Sequence, residues 1–402
     1  MSTRTPAPGA GTASGAHYHP AEVIVDLAAI RANVATLAEV APTAEVMAVV
    51  KADAYGHGLL PVARTALQAG ATWLGVAQFS EALAIREAGI TAPMLVWLYT
   101  PGAPLEQAVR ADIDLSVSAG WALDEVVRAA RSSGRTARIH LKIDTGMGRG
   151  GVFAQAWPDL VAAAMRAQAE GAVQVVGVWS HLARADEIGH PSIAAQVQAF
   201  TDAVHLAEAA GARLLVRHLA NSAGTLTAPQ THFDLVRPGI ASYGLTPAPQ
   251  YRSADGFGLV PAMRMESEVM LVKDAPADQG ISYAHLYTTT EETRLAVIPL
   301  GYADGIPRHA SNVGPVRVGG RTVPIAGRVC MDQFTIDLGP ARPDHPEVVP
   351  GERAVLFGTG ANGEPTAQDW ADAAGTISYE IVARMGARIP RTYLNALGVD
   401  DE

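Results

Sequence analysis

The sequence is almost without cysteine. Cys330 is the only one in 402 residues, so no intrachain disulfide can form, and a reducing, cytoplasmic compartment is expected. Positive charge is short: 30 Lys and Arg face 40 Asp and Glu, for a net charge of −10. Such a chain is not expected to bind nucleic acid or an anionic membrane surface. No run approaches the ~18 consecutive apolar residues of a membrane span. Residues 1–20 hold no apolar stretch of the secretory kind, and their Ala, Gly, Thr, Pro and Ser content predicts a disordered tail. Two motifs are missing as well. No G-x-G-x-x-G follows the first strand, which weighs against an open dinucleotide-binding sheet. The one H-x-H, His17-Tyr18-His19, lies in the tail, which argues against a metal-dependent barrel hydrolase and predicts no metal site.

What is present is an ordinary globular composition, 49% apolar and 17% charged, long enough for two domains. Apolar runs predict strands over 45–50, 73–77, 93–98, 113–117, 137–143, 173–179, 214–218 and 233–236. Helical patterns lie between most of them, as in 59–68, 80–88, 121–132, 155–169 and 193–210. This alternation predicts parallel strands with crossover helices. Eight such units over ~200–250 residues fit an α/β fold with a closed (β/α)₈ barrel, placed here at residues 21–258. Beyond a polar linker near 251–258 the texture changes. Short runs at 268–272, 293–298, 315–318, 322–325, 329–336 and 353–357, divided by Gly, Pro and Asp, predict a mainly β domain over 259–402, with helices near 367–374 and 379–385.

In such a barrel the reactive groups stand at the C-terminal strand ends. The first strand ends at Lys51, in the stretch Val49-Val50-Lys51-Ala52-Asp53-Ala54-Tyr55-Gly56-His57-Gly58. An amine there can be partly desolvated and so easier to deprotonate, as Schiff-base chemistry needs. The other strand ends supply Lys142 to Arg149, Ser180-His181, Asn221-Ser222 and Arg237-Pro238-Gly239-Ile240. Cations and small polar residues converging on one mouth suit a phosphorylated, anionic cofactor or substrate. The N–H groups of Gly239 and Ile240 can hold phosphate. Each motif also has a plain structural reading: Asn221-Ser222 can cap the next helix, and Asp144-Thr145-Gly146 can be a turn.

These segments, with Ile281-Ser282-Tyr283, Gly301-Tyr302-Ala303-Asp304-Gly305, Arg328 to Gln333 and Ser378-Tyr379-Glu380, resemble alanine racemases, the fold-type III enzymes that use pyridoxal 5′-phosphate. The resemblance runs from about Ala21 to Tyr393. It implies a homodimer with shared active sites, acting on a small amino acid and supplying D-alanine for peptidoglycan precursors. It implies that Lys51 holds the cofactor and is one of two bases, acting on the D-enantiomer. Tyr283, from the partner subunit, would be the base for the L-enantiomer. Tyr55, Ser222, Gly239, Ile240 and Tyr379 match the family's phosphate contacts. Arg237 matches the partner of the pyridine nitrogen, with His181 and Asn221 beside the cofactor. His181 and Arg237 are expected to be the cations that lower the Tyr283 pKa. Arg149 and the Met331 N–H would bind the substrate carboxylate, and Lys142 occupies a position carbamylated in some members. Ala284 departs from the pattern: members usually have Gly after the tyrosine. A racemase of serine, lysine or another amino acid, and a non-catalytic binder of the same cofactor, stay open as alternatives.

Overall fold

The structure, a computed structural model, describes residues 19–343 and 345–396. Most of the tail expected over 1–20 lies outside the described residues. The first strand, β1 (Ala21–Asp26), buries every second side chain. Eight strands follow that bury almost everything: β2 (Glu45–Val49), β3 (Trp73–Val76), β4 (Met94–Val96), β5 (Asp114–Val117), β6 (Ala137–Lys142), β7 (Val173–Trp179), β8 (Val216–His218) and β9 (Leu235–Val236). They pair in parallel in the order β8-β7-β6-β5-β4-β3-β2-β9. Burial on both faces is what parallel strands under crossover helices require. The two end strands meet through single hydrogen bonds, Asp234 N–H to Arg217 O at 3.1 Å and Arg237 N–H to Ala220 O at 3.0 Å. The sheet thus becomes the (β/α)₈ barrel that the alternation predicts. Met47, Trp73, Leu95, Trp179, Val216 and Leu235 fill its interior. Each such side chain contributes roughly 1.5–3 kcal/mol by leaving water.

β1 lies inside the segment expected to be barrel, yet it pairs antiparallel with β10 (Met263–Glu268) and parallel with β19 (Arg391–Leu394). Its half-buried alternation suits a sheet with one covered face. The remaining strands are β11 (Leu271–Ala275), β12 (Gly280–Ile281), β13 (Tyr287–Thr288), β14 (Thr293–Ile298), β15 (Pro315–Val318), β16 (Arg321–Pro324), β17 (Phe334–Gly339) and β18 (Arg353–Phe357). They form a six-stranded sheet β16-β15-β18-β10-β1-β19, a three-stranded sheet β11-β14-β17 and the hairpin β12-β13. Two runs differ from expectation. The stretch 268–272 spans a break between two sheets, because Val269 N–H turns to Glu352 O while Met270 N–H turns to Val297 O. Residues 329–333 form a loop before β17, closed by Cys330 N–H to Gln333 O at 2.9 Å.

The second domain returns to the barrel mouth through the helix Ser378–Ala383 and β19. A Cβ on Gly56 would stand 2.3 Å from Val382 O, and one on Gly58 would overlap the Tyr393 hydroxyl. The Lys51 turn is therefore clamped between the two domains of one chain. No described helix is long and apolar enough to cross a membrane.

Candidate active site

Lys51 begins the turn that follows β2. The next four residues, Ala52 to Tyr55, have φ values of 55°, 52°, 52° and 54°. For non-glycine residues this left-handed conformation costs on the order of 1–2 kcal/mol each. Such strain persists only when the surroundings over-determine it, and here they do. Ala52 N–H donates to Glu81 Oε1, and Leu59 N–H to Asp53 Oδ1 at 2.8 Å. His57 Nδ1 lies 3.0 Å from both Ala54 O and Tyr55 O, so it carries the proton and donates to them. Tyr243 donates its hydroxyl to Val49 O at 2.9 Å and packs its ring on Tyr55 and His57, with centroids 4.8 and 4.5 Å away. The turn leaves Lys51 half-buried with its Nζ 6.0 Å from the Tyr55 ring centre. Burial and the Arg149 charge lower the Lys51 pKa against the opposing pull of Glu81. That eases loss of its proton, as a nucleophilic amine requires.

Beyond Lys51 a polar pocket floor continues at the ends of β8 and β9. Asn221 caps the helix Ser222–Thr227, its Oδ1 accepting from Gly224 N–H at 2.9 Å. The cap sets Ser222, whose Oγ accepts from Gly239 N–H at 2.8 Å and Ala241 N–H at 3.2 Å. Ser222 thereby keeps its own proton free to donate. Among the described residues, the Ile240 N–H and the hydroxyls of Tyr55 and Tyr379 have no hydrogen-bond acceptor within the chain. The two tyrosine rings lie 6.4 Å apart. A Cβ on Gly239 would stand 2.3 Å from the Tyr55 hydroxyl, so only glycine fits there. Tyr55 thus links the Ser222–Gly239 turn to Tyr379, and the free donors are neighbours in the fold.

Arg237 lies almost fully inside the barrel mouth. Its Nη2 donates to Ser180 O at 2.7 Å and Leu219 O at 3.2 Å, and its Nη1 lies 3.2 Å from His218 Nδ1. Burial pulls the guanidinium down to about 9, which leaves it cationic at neutral pH. His181 lies 3.5 Å from Arg237 Nη2. Burial first, and then the charges of Arg237, Arg149, Lys142 and Lys51, push its pKa well below the usual value. His181 is therefore neutral and is not the cationic neighbour expected of it.

The loop after β6 is organised by Asp144. Its Oδ1 accepts from the N–H groups of Gly146, Met147 and Gly148, and its Oδ2 from Arg149 N–H at 3.0 Å. Burial works against this carboxylate, but the four donors outweigh it and hold its pKa low. The arrangement sets the exposed Arg149 at the rim. Asp144 is thus turned toward its own loop and acts on Lys142 only as a nearby charge that raises its pKa. Lys142 Nζ instead sits 4.1 Å from the Trp179 ring centre. Burial, then Arg237 and Arg149, lower its pKa to about 8.

Tyr283 stands apart from this group. It is 71% exposed, and among the described residues its hydroxyl makes no hydrogen bond within the chain. Its turn is braced by Ser282 Oγ, which donates to Arg328 O at 2.8 Å. Ser282 and Ala284 have φ values of 60° and 61°, and His285 of 47°. Met331 is also exposed; its carbonyl accepts from Ala303 N–H, while its own N–H has no acceptor in the chain among the described residues. The structure therefore gathers Lys51, Tyr55, Lys142, Arg149, His181, Ser222, Arg237, Gly239, Ile240 and Tyr379 at one mouth, and leaves Tyr283 and Met331 facing outward.

Some residues escape the strand-end reading. Glu81, which holds Ala52 and acts on Lys51, sits on the helix Phe79–Glu87 that follows β3; its signal is the Gln78-x-x-Glu81 pattern at that helix start. Gln196 bonds Thr145, His181 and Ala183 from a long helix, and nothing local marks it. Asp114 and His140 lie at strand positions where apolar side chains are expected, and a buried polar residue in an apolar run is the signal they give.

Comparison with known proteins agrees along the chain. The family model for the alanine racemase N-terminal domain matches residues 25–247, and that for the C-terminal domain matches 262–393. An alanine racemase of Beutenbergia cavernae is 64% identical over 376 residues, covering 94% of this chain and 98% of its own. One from Streptomyces coelicolor is 57% identical over 376 residues, covering 92% and 95%. The crystal structure of alanine racemase from the D-cycloserine-producing Streptomyces lavendulae superposes with a TM-score of 0.91 at 54% identity, covering 94% of this chain and 98% of that one. The Bacillus anthracis enzyme with bound L-Ala-P gives 0.85 at 36% identity, covering 95% and 97%. By these matches to both domains the chain belongs to the alanine racemase family.

Proposed function

We propose that the protein interconverts L-alanine and D-alanine with pyridoxal 5′-phosphate, as a cytoplasmic homodimer with shared active sites. The observation that carries this reading is the pairing of a half-buried amine, Lys51, with unsatisfied donors from the ends of β8 and β9, from the Lys51 turn and from the helix Ser378–Ala383. The residues fit the cofactor at three points. The free Tyr55 and Tyr379 hydroxyls, the Ser222 proton and the Ile240 N–H suit a phosphate, with Gly239 giving the clearance and Asn221 fixing Ser222. Lys51 suits covalent attachment. Arg237 suits the ring nitrogen, with His181 beside it. When bound, the cofactor delocalises the charge left at Cα after proton loss.

The chain's own residues then divide the work. Lys51 Nζ takes or returns the Cα proton on one face. Racemisation needs a second base on the other face, and Tyr283 is the group offered, reaching out of its own subunit. The outward Met331 N–H belongs to the same shared site and, with Arg149, binds the substrate carboxylate. A guanidinium donates a hydrogen bond but keeps its proton, so Arg237 holds the ring nitrogen without protonating it. That limits the lifetime of the charge at Cα and disfavours side reactions.

Lys142 fits carbamylation: burial and the charges of Arg237, Arg149 and Lys51 lower its pKa against the weaker opposing pull of Asp144. A carbamate there would turn a repelled amine into the missing anion beside Arg149. An added carboxyl mass on Lys142 supports this, and a bare amine at saturating bicarbonate removes it. The substrate assignment is tested with a chiral assay over alanine, serine, lysine and arginine. Alanine is expected to turn over in both directions; turnover of another amino acid with none of alanine would overturn it. The shared site is tested by mixing inactive Lys51→Ala and Tyr283→Phe proteins. Exchanged heterodimers are expected to regain activity, and no recovery despite exchange would mean self-contained subunits. A biosynthetic supply of D-alanine for peptidoglycan is the role this activity suits.

A further inference from the structure

A line of polar side chains crosses the apolar barrel interior and ends at Arg237. Asp114 on β5 is 2% exposed, His140 on β6 and His218 on β8 are 0%, and Arg237 after β9 is 5%. Arg237 Nη1 lies 3.2 Å from His218 Nδ1, His218 Nε2 lies 2.9 Å from His140 Nδ1, and His140 Nε2 lies 3.0 Å from Asp114 Oδ2. Arg138 closes the far end with two hydrogen bonds to Asp114, at 2.7 and 3.1 Å.

The two ends fix every proton between them. A guanidinium only donates, and an ionised carboxylate only accepts. His218 Nδ1 must therefore be a bare acceptor, which puts its proton on Nε2. That proton is donated to His140 Nδ1, so His140 also carries its proton on Nε2 and donates it to Asp114. Each neutral imidazole has one donor and one acceptor, so the chain is fully satisfied in this one arrangement. A second proton on either ring would turn a donor toward a donor and break the link to Arg237. Hydrogen bonds aligned in one direction polarise and strengthen each other in a low-dielectric interior. Asp114 and His218 are consistent with these states. Burial opposes ionisation of Asp114, but bonds to His140 and Arg138 outweigh it, while burial and the Arg237 charge keep His218 neutral.

We propose that Asp114 and His140 are positioning residues: through His218 they fix the plane and hydrogen bonding of Arg237, and so tune the reaction from inside the barrel. The effect on the reaction rests on the reading that Arg237 faces the cofactor ring; the proton arrangement itself does not. That arrangement is tested first, without any substitution. Nitrogen-15 NMR of the imidazoles in the wild-type holoenzyme at pH 7.5 should show His140 and His218 both neutral and protonated on Nε2. Either ring protonated on Nδ1, or doubly protonated, would overturn the proposal.

The functional arm uses Asp114→Asn, with Asp114→Glu as the conservative partner. Asp114→Asn should shift the absorption band of the bound cofactor and lower kcat per bound cofactor at least tenfold. KM for alanine should change less than threefold, and Asp114→Glu should restore part of the rate. A role in folding alone would lower the yield of folded protein and leave band, kcat and KM unchanged in the fraction that binds cofactor. That outcome would also overturn the proposal. Arg237→Gln separates the two readings: if it leaves the absorption band unmoved, the placement of Arg237 at the ring fails, whatever the imidazoles show.

Discussion

A Cβ on Gly56 would stand 2.3 Å from the carbonyl oxygen of Val382. The contact joins the turn that carries Lys51 to the helix that carries Tyr379. It is backbone against backbone, so no side-chain rotation relieves it. Gly56 also has φ +81°, where L-residues are strained. Gly56→Ala should therefore combine two costs: about 1 kcal/mol of conformational strain and roughly 1–3 kcal/mol of overpacking. Gly89→Ala separates them, because Gly89 has φ +78° but nothing within 4 Å of its Cβ position. Denaturant titration should show a clearly larger loss for Gly56→Ala. Equal losses would mean that the two domains part freely at this contact.

Asp144 reaches Arg149 only through the backbone, by the N–H that Oδ2 accepts. Asp144→Asn keeps one oxygen, enough for the three N–H groups that Oδ1 holds. It sets an amide N–H₂ against the Arg149 N–H. Leaving that donor unpaired costs about 1–3 kcal/mol. If the cost falls on the placement of Arg149, kcat/KM for alanine should drop roughly 10- to 100-fold. An unchanged kcat/KM would show that the loop holds Arg149 without its carboxylate.

The barrel was legible because its strands are short buried runs separated by helical patterns, a signal that does not depend on distant residues. The chemistry-bearing strand ends were legible for the same reason: once the strands are placed, Lys51, Arg237 and Ser222 follow from position. What was hidden is whatever depends on contacts between segments remote in sequence. Nothing around Ala52 to Tyr55 announces four left-handed residues, since the forces that hold them come from Glu81, Arg391 and Val382. Residues 21–26 fall inside the stretch expected to be barrel, but the strand they form finds its antiparallel partner more than 200 residues away. A strand-end histidine gives no sign in sequence of its burial or of the cations that converge on it in space, and these are what keep His181 from carrying the expected charge.

Ala284 adopts φ 61°, ψ 13°, a region that glycine enters at no steric cost. The glycine that the resemblance leads one to expect after the tyrosine would sit there without strain. Ala→Gly ordinarily destabilises, because glycine gains freedom in the unfolded chain. Here the relief of left-handed strain, about 1–2 kcal/mol, offsets that loss. Ala284→Gly should thus leave stability unchanged or raise it by up to about 1 kcal/mol, as measured by chemical unfolding. A loss of more than about 1 kcal/mol, the ordinary cost of glycine, would mean that the Ala284 methyl makes contacts outweighing the strain.

His57 links the Lys51 turn to pH. Its ring is fully buried, with Nδ1 donating to two carbonyls and Nε2 without a partner. Burial, aided by the Arg391 charge and opposed by the two carbonyls, lowers its pKa to about 4. In an unfolded chain a histidine titrates near ~6.5. The unfolded state therefore binds the extra proton first as pH falls. Stability from this group is complete above about pH 6.5 and is lost progressively as pH drops toward 4, by about 3 kcal/mol in all. His57→Gln can still donate to the turn carbonyls but cannot take up that proton. Wild type should be more stable at pH 7.5, and the gap between the two proteins should narrow steadily between pH 6.5 and 4.5 in urea titrations. Other buried histidines, such as His181 and His218, are common to both proteins and cancel in the difference. A gap that stays constant across this range would show that His57 is not the group through which acid loosens the turn.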